Sequence, residues 1–483
     1  PHLTPPPPPY PRPAWLAGAE ICITDRCPAT TATPSAAAVP APEPAPVGKG
    51  SLMQARRGRF SAGTTGVAAA AALVMLLPLG GGGERGDDRG GGQGHGNDRA
   101  RNVIFIQGDG LGLSHRELVR LATVGKDGQL AMDSLVHAGW TTTDSADPEE
   151  AVTDSAAGAT AFASGVRTYN GAVGVDVDGN PVPTLLEAAR GAGKATGLVT
   201  TAQVTDATPA AFGAHVPDRG DQSEIARQLL EGSRPDVVLG GGEDWWYPAG
   251  DPGAWEDNPA KDPTEQSKGT KGNLVERAQD LGYTYVSDAE GLADARGRKL
   301  LGLFANEEMF EQRNEGEGDL YEPEVPLVDM TAKALDVLSR DRDGFFLLVE
   351  EEGVDEFAHR SNATRTIQAG QALDETVALA LDFQERNRDT LVLVVGDHAT
   401  GGLAIENVDP EDEGGEGATA EDGPFDLAGS DLQFTVDWTT GGHTGEATPI
   451  TAQGPGAARL AGAQRNTDVH DAVLRAMQPR GRG

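Results

Sequence analysis

Four segments of this 483-residue chain end an apolar run with side chains able to bind a cation or move a proton. NVIFIQ runs into Gly108-Asp109-Gly110. FFLLVE closes on Glu350, with Asp355 and His359 just beyond. LVLVVG is followed by Asp397-His398, and GLVTTAQVT leads to Asp206 and Thr208. A single aspartate at a strand end is ordinarily a turn or cap residue. Four such ends, two of them supplying histidine, are hard to explain as turns. Asp355 and His359 are spaced i, i+4, which places both on one face of a helical turn where they can hold one metal. Asp397 and His398 are adjacent just past a strand, where irregular backbone can turn both inward. His443 lies in the glycine-flanked loop TTGGHTG, which lets backbone and imidazole approach closely. For His359, His398 and His443 the plain alternative is a structural histidine. Taken together with their aspartate neighbours they point to a metal. Mixed His/Asp ligands without cysteine fit a catalytic zinc with open coordination positions.

The nucleophile candidate is Ser155 in TDSAAGAT. The alanine-rich stretch after it favours helix. Ser155 would then sit at a helix N-terminus, where free N–H groups and the dipole stabilise an oxyanion or a phosphate. The bland role of an N-cap for Asp154 or Ser155 is compatible with that. No Gly-x-Ser-x-Gly elbow surrounds Ser155, so a metal is the expected activator. A phosphate also calls for a forked cation. Arg219, in HVPDR, is such a candidate, although an arginine is usually just surface.

The elements that must position these residues read as an α/β parallel sheet, since apolar runs alternate with helical patterns from about Arg101 onward. The strands are expected at Val103–Ile106, Ala195–Thr200, Val237–Leu239, Phe345–Val349 and Leu391–Val395. Helices are expected at Thr184–Gly191, Glu224–Glu231, Val328–Ser339 and Thr364–Asn387. In open parallel sheets the ligand crevice lies beyond the carboxyl ends of the strands, which is where the four segments deliver their side chains. Glu243–Lys271, with Trp245, Trp246 and Trp255, reads as a surface excursion, and Asp409–Ser430 as a second, acidic one. There is no internal repeat.

Residues 1–50 are Pro/Ala-rich and cannot build a core. Met53 is the first methionine, so part of this region is expected to lie upstream of the true start. Within 51–80, Arg56, Arg57 and Arg59 precede the apolar stretch Gly66–Leu79. A basic cluster before an apolar run of that length reads as an export signal, too short for a transmembrane helix; the alternative is a short uncleaved anchor. The Arg56–Arg57 pair hints at twin-arginine export, against which Arg59 stands where an apolar residue is expected. Residues 81–100 read as a Gly-rich linker holding a solvated His95, and 101–483 as the catalytic domain.

Composition narrows the function further. With 39 Lys+Arg against 74 Asp+Glu the formal charge is −35, which repels phosphate backbones and anionic membranes and excludes a broad nucleic-acid binder. The acidity suits solubility, salt adaptation or the binding of several cations. Both cysteines, Cys22 and Cys27, precede the catalytic domain, which excludes a thiol nucleophile, a cysteine zinc site and a disulfide framework there.

These motifs resemble the alkaline phosphatase family of dimeric, metal-dependent phosphomonoesterases. The resemblance runs from about Arg101 to Arg459 and is carried by TDSAAGATAFASG, TDATPAAFGAHVPDR, Val349–His359 and Trp438–Gly445. It implies a three-layer α/β sandwich, a large mostly parallel central sheet with helices on both faces. It implies that Ser155 becomes transiently phosphorylated and that Arg219 clamps the phosphate. Asp355, His359 and His443 would hold one zinc; Asp109, Asp397 and His398 the second. Asp109 would bridge to a magnesium completed by Thr208 and Glu350, with Asp206 supporting that site from behind. Two Zn²⁺ and one Mg²⁺ per subunit, phosphate monoester substrates, a homodimer, and export to the periplasm, the cell wall or the medium with no stable membrane partner after cleavage all follow as expectations.

One position departs from the family. After Asp355 some members carry Lys, His or Trp, whereas this chain has Glu356. A carboxylate there is expected to weaken phosphate binding and speed product release, or to recruit an extra cation; the alternative is a solvated rim residue. The short His398–His443 segment leaves no room for the large crown of animal relatives. The rival readings are a phosphodiesterase or sulfatase of the same superfamily, and a non-catalytic acidic cation-binding protein. Ser155 with Arg219, and the pair Thr208 and Glu350, favour the monoesterase.

Overall fold

The structure, a computed structural model, describes residues 98–260, 264–408 and 421–478. The expectations for 1–50, 51–80 and most of 81–100 therefore lie outside the described residues. Eight strands form the first part of the main sheet: β1 (Asn102–Gly108), β2 (His137–Thr142), β3 (Ala195–Gln203), β4 (Val237–Gly241), β5 (Thr284–Val286), β6 (Leu300–Leu303), β7 (Phe345–Glu351) and β8 (Thr390–Gly396). With Thr448–Gln453 and Gly462–Arg465 they make ten strands in the order Gly462–Arg465, β2, Thr448–Gln453, β8, β1, β7, β3, β4, β6, β5. All neighbours are parallel except those of Thr448–Gln453, which runs antiparallel to β2 and β8. The sheet is therefore mostly parallel, as expected. The antiparallel insert carries no periodicity that separates it from a loop.

Each expected strand and helix is present within a few residues of its expected bounds. The helix expected over Glu224–Glu231 ends earlier, at Gln228, and continues as a π-helical turn over Leu229–Ser233. The central strands are buried along their whole length, because helices cover both faces. Alternation with period two sorts the side chains. Val103 and Phe105 join one core with Phe162, Phe212 and Phe346, while Ile104 and Ile106 join the other with Leu347, Val392 and Val394. Phe105 meets Phe212 edge-on at 5.3 Å between ring centres. The first face is covered by Ser155–Ser164, Leu185–Gly191, Ala207–Gly213 and Asn466–Met477, and the second by Leu327–Leu338 and Ala363–Arg386.

The two surface excursions need correction. Trp246 and Tyr247 are buried and pack on Leu230, Val238 and Leu301, and Glu243 and Asp244 are fully buried as well. The polar residues of this segment turn inward because they tie it together. The Glu243 carboxylate accepts from the backbone N–H groups of Ala254 and Trp255 and from the Tyr285 hydroxyl. Of the acidic stretch Asp409–Ser430, residues 409–420 lie outside the described residues. Asp422–Asp426 is an edge strand beside Gln433–Trp438 in a three-stranded sheet, and Asp422 accepts from the N–H of Ala363 at the start of the long helix.

Candidate active site

The C-terminal ends of β1, β7, β3 and β8 lie side by side in the sheet, so the four chemistry-bearing segments open onto one edge. Beyond β1, the chain turns at Gly110 with φ +67°, a left-handed backbone that glycine adopts without strain. A Cβ on Gly110 would sit 2.7 Å from an Asp355 oxygen, so this turn also lets the Asp109 segment close onto the Asp355 segment. Beyond β7, the helix Gly353–His359 presents Asp355 and His359 on one face, and His359 Nε2 lies 3.1 Å from Asp355 Oδ2. Beyond β8, Ala399–Thr400 pairs antiparallel with His443–Thr444 in the register His443↔Thr400. That short ladder carries His443 across from a distant loop and stacks its ring on His398, with centres 3.6 Å apart.

Two groups of ligand atoms result. Asp355, His359 and His443 converge in one, and Asp109, Asp397 and His398 in the other. His359 Nδ1 faces the carbonyl oxygen of Gly441 at 2.8 Å, and His443 Nδ1 faces that of Thr153 at 2.9 Å. A carbonyl oxygen can only accept, so both rings are protonated at Nδ1 and turn Nε2 toward the ligand group. The two Nε2 atoms are 3.1 Å apart, with His443 Nε2 3.6 Å from Asp355 Oδ1. Two imidazole nitrogens converging on one carboxylate form a donor set that fits a metal cation held between them. In the second group, Asp397 Oδ1 accepts from the N–H groups of Gly110 and His398, while the buried Asp397 Oδ2 has no hydrogen-bond partner. An orphaned carboxylate oxygen in such a place fits a metal. The donor set, imidazole plus carboxylate with no thiolate, suits zinc.

The charges of this site are strained. Burial, and then the negative charge of neighbouring carboxylates such as Asp355 and Glu350, push the carboxyls of Asp109 and Asp397 well above the ordinary range. Burial pushes Glu350 up to about 7. Burial alone would raise Asp355 too, but the His359 hydrogen bond and the three imidazoles outweigh it and hold it low. His359 is pushed up to about 9, because Asp355 more than offsets its desolvation. Burial drives His398 well down, toward the neutral ring that a metal ligand must be.

Ser155 is the first residue of the helix Ser155–Ser164, as expected, and Asp154 is its N-cap, accepting from Ala157 N at 2.9 Å. Ser155 Oγ is 3.1 Å from His398 Nε2 and 3.4 Å from Asp109 Oδ1, at the edge of the second group. The guanidinium of Arg219 reaches Asp154 at 3.4 Å and Asp206 at 2.5 Å, which fixes it on the Ser155 side of the site. Glu350 accepts from Thr200 at 2.6 Å, and Thr208 accepts from Gln107 at 2.8 Å. Glu350 and Thr208 also share a hydrogen bond, and a buried Gln107 oxygen is left without a partner. An all-oxygen set of this kind suits a hard cation such as magnesium. Glu356 follows Asp355 on the same helix and lies half-buried; Gln312 donates to its carbonyl oxygen.

All the residues singled out from the sequence thus come to one sheet edge. Several partners went unrecognised. Asp154, expected only as a helix cap, also holds Arg219. Thr400 donates to Asp355, and Thr200 and Gln107 orient Glu350 and Thr208. Thr400 could have been suspected from its place two residues after His398; the other partners carry no local signal.

Comparison with known proteins agrees with this geometry. The family model for alkaline phosphatase matches residues 100–422. Alkaline phosphatase 3 of Bacillus subtilis (strain 168) is 31% identical over 450 residues, covering 79% of this chain and 90% of that protein. Streptomycin-6-phosphate phosphatase of Streptomyces griseus is 37% identical over 431 residues, covering 78% and 90% respectively. The solved structure of alkaline phosphatase from the Antarctic bacterium TAB5 superimposes with a TM-score of 0.64 at 29% identity, covering 78% of this chain and 98% of that one.

Proposed function

Since the chain belongs to the alkaline phosphatase family and is a phosphomonoesterase, we propose that it hydrolyses phosphate monoesters through a phosphoserine formed at Ser155. Two zinc ions would be held by Asp355, His359 and His443 and by Asp109, Asp397 and His398, and one magnesium by Asp109, Thr208 and Glu350. Bound there, the ions supply the positive charge that activates oxygen nucleophiles and neutralises oxygens on which charge builds up. The helix N-terminus at Ser155 orients the nucleophile and offers N–H groups to the phosphoryl oxygens. Arg219 binds two of those oxygens, and Asp154 and Asp206 hold its fork in place. Ser155 Oγ gives up its proton and bonds to phosphorus as the ester oxygen leaves with the electrons of its bond and takes up a proton. Water then displaces Ser155 Oγ and inorganic phosphate departs. The rest of the site positions charge, the main work in phosphoryl transfer.

The observation that carries this reading is Ser155 Oγ at 3.1 Å from His398 and 3.4 Å from Asp109, two members of one ligand group. The test is hydrolysis of p-nitrophenyl phosphate at alkaline pH with zinc and magnesium. Ser155→Ala is expected to lower kcat by about 10³-fold or more, the scale seen when a covalent nucleophile is removed, while metal content measured by mass spectrometry stays unchanged. Full activity in the variant would overturn the phosphoserine. Export and a homodimer belong to the same proposal. They are supported by the basic and apolar order of residues 51–80 and by the family, and are tested by cell fractionation and light scattering. Among the described residues no helix is long and apolar enough to cross a membrane. The division into 1–50, 51–80, 81–100 and 101–483 is likewise proposed, and limited proteolysis tests it.

A further inference from the structure

One layer below Asp109 on β1 lies a fully buried amide, Gln107. Alternation with period two puts Gln107 on the face of β1 that carries Phe105 before it and Asp109 after it. The ladder still holds at Asp109, whose N–H donates to the carbonyl oxygen of Glu351 at 3.0 Å. Across the sheet Gln107 pairs in register with Glu350 of β7, which alternates onto the same face as Phe346 and Leu348. The helix Ala207–Gly213 covers that face. Its Phe212 packs on Phe105, and Thr208 lies one turn nearer the sheet edge. Two strand residues advance about 6.6 Å and four helical residues about 6 Å, so Gln107 meets Thr208 as Phe105 meets Phe212. Gln107 Nε2 donates to Thr208 Oγ1 at 2.8 Å. The amide thus sits against the three residues assigned to magnesium: Asp109 on its own strand, Glu350 beside it and Thr208 above it.

Hydrogen-bond accounting fixes which way the amide faces. A threonine hydroxyl has one hydrogen and two lone pairs. Glu350, ionised as a cation ligand must be, can only accept, so it takes the hydrogen of Thr208 in the bond the two share. Gln107 must then turn its NH₂ toward Thr208 and fill one lone pair, which leaves the other for a cation. That orientation strands Gln107 Oε1, which is buried without a hydrogen-bond partner. A buried carbonyl oxygen of this kind fits a donor from outside the chain. Magnesium gives up its waters reluctantly and keeps several when few protein oxygens hold it, and such waters donate. We propose that Gln107 is a fourth protein side chain of the magnesium site, its amide N–H aiming Thr208 and its Oε1 accepting from a water on the bound ion. This rests on the magnesium site of the proposed function. It makes Gln107 a positioning residue that sets magnesium affinity without touching the phosphate.

The test strips the full chain of metal, reloads both zinc sites and titrates it with magnesium, reading bound metal by mass spectrometry after equilibrium dialysis. The wild type is expected to take up magnesium beyond its zinc. In Q107L the magnesium dissociation constant is expected to rise by about tenfold or more, the usual cost of losing a group that supports metal ligands, while zinc content stays unchanged. The gain in Tm that magnesium gives the zinc-loaded chain is expected to shrink with it. Q107E keeps acceptor oxygens in the same place and is expected to hold magnesium at least as tightly as the wild type. An unchanged dissociation constant in Q107L overturns the proposal. A loss shared equally by zinc overturns it too, because Gln107 would then support the whole sheet edge. Binding as weak in Q107E as in Q107L overturns the role of Oε1. A wild type that takes up no magnesium instead strikes the magnesium site itself, so the two failures are distinguishable.

Discussion

Asp355 and Glu356 are neighbours with opposite fates. Asp355 is held low by three imidazoles, while burial first, and then the charges of Asp355 and Glu308, push Glu356 up to about 8. Whatever its protonation, Glu356 offers no cation to a phosphate bound by Arg219. We expect Glu356→Lys to tighten competitive inhibition by inorganic phosphate by roughly 3- to 10-fold, the equivalent of about 0.7–1.4 kcal/mol, and to lower kcat where product release limits turnover. An unchanged inhibition constant would reduce Glu356 to a rim residue. Most of the site is legible at this scale, because ligand chemistry restricts the residue types: aspartate next to histidine, histidine four residues after aspartate, serine before an alanine-rich helix. The partners of these residues were not legible. A threonine that donates to a carboxylate, or an aspartate that holds an arginine, is an ordinary polar residue until the fold brings its partner near.

At the scale of elements, the segment Glu243–Lys271 shows how composition misleads. Its charges and turn residues resemble a solvated loop, yet Asp244 is fully buried, with the Lys268 ammonium 3.6 Å away. Burial pushes its carboxyl up to about 7 despite the lysine. A carboxyl raised in the folded state stabilises the fold while protonated. That contribution is fully present below the unfolded value near 4 and is lost as pH rises through about 7. Asp244→Asn does not titrate. We therefore expect the Tm of the variant relative to wild type to increase between pH 5 and pH 8, as followed by thermal unfolding at both values. A constant difference would mean that Lys268 fully compensates the carboxylate. The strands and long helices, by contrast, were legible: runs such as LVLVVG suit only a strand buried on both faces, and Leu327–Leu338 carries a helical stripe.

At the scale of the whole molecule, the fold gathers buried negative charge at one sheet edge and leaves it uncompensated by protein alone. Asp109, Asp397 and Glu350 are each less than 5% exposed, and all three resist ionisation. Metal binding should then be coupled to stability. Exhaustive chelation is expected to lower Tm by several degrees, and zinc with magnesium to restore it. At a metal concentration about 1,000-fold above the dissociation constant the linkage amounts to roughly 4 kcal/mol. A Tm unmoved after verified metal removal would show that the carboxylates are satisfied by protonation instead.

Residue order alone determined that this chain has an α/β fold whose strand ends carry metal-ligating side chains, because periodicity reports burial and because few side chains can ligate metals. The acidity of the chain was equally plain from composition. Only the tertiary structure decided how His443 meets His398 and His359, since their approach depends on a two-residue ladder between Ala399–Thr400 and His443–Thr444. It also decided that Trp246, Glu243 and Asp244 are interior. Local sequence carries local propensity, whereas a contact across forty or a hundred residues exists only once the sheet has fixed the distance between its strand ends.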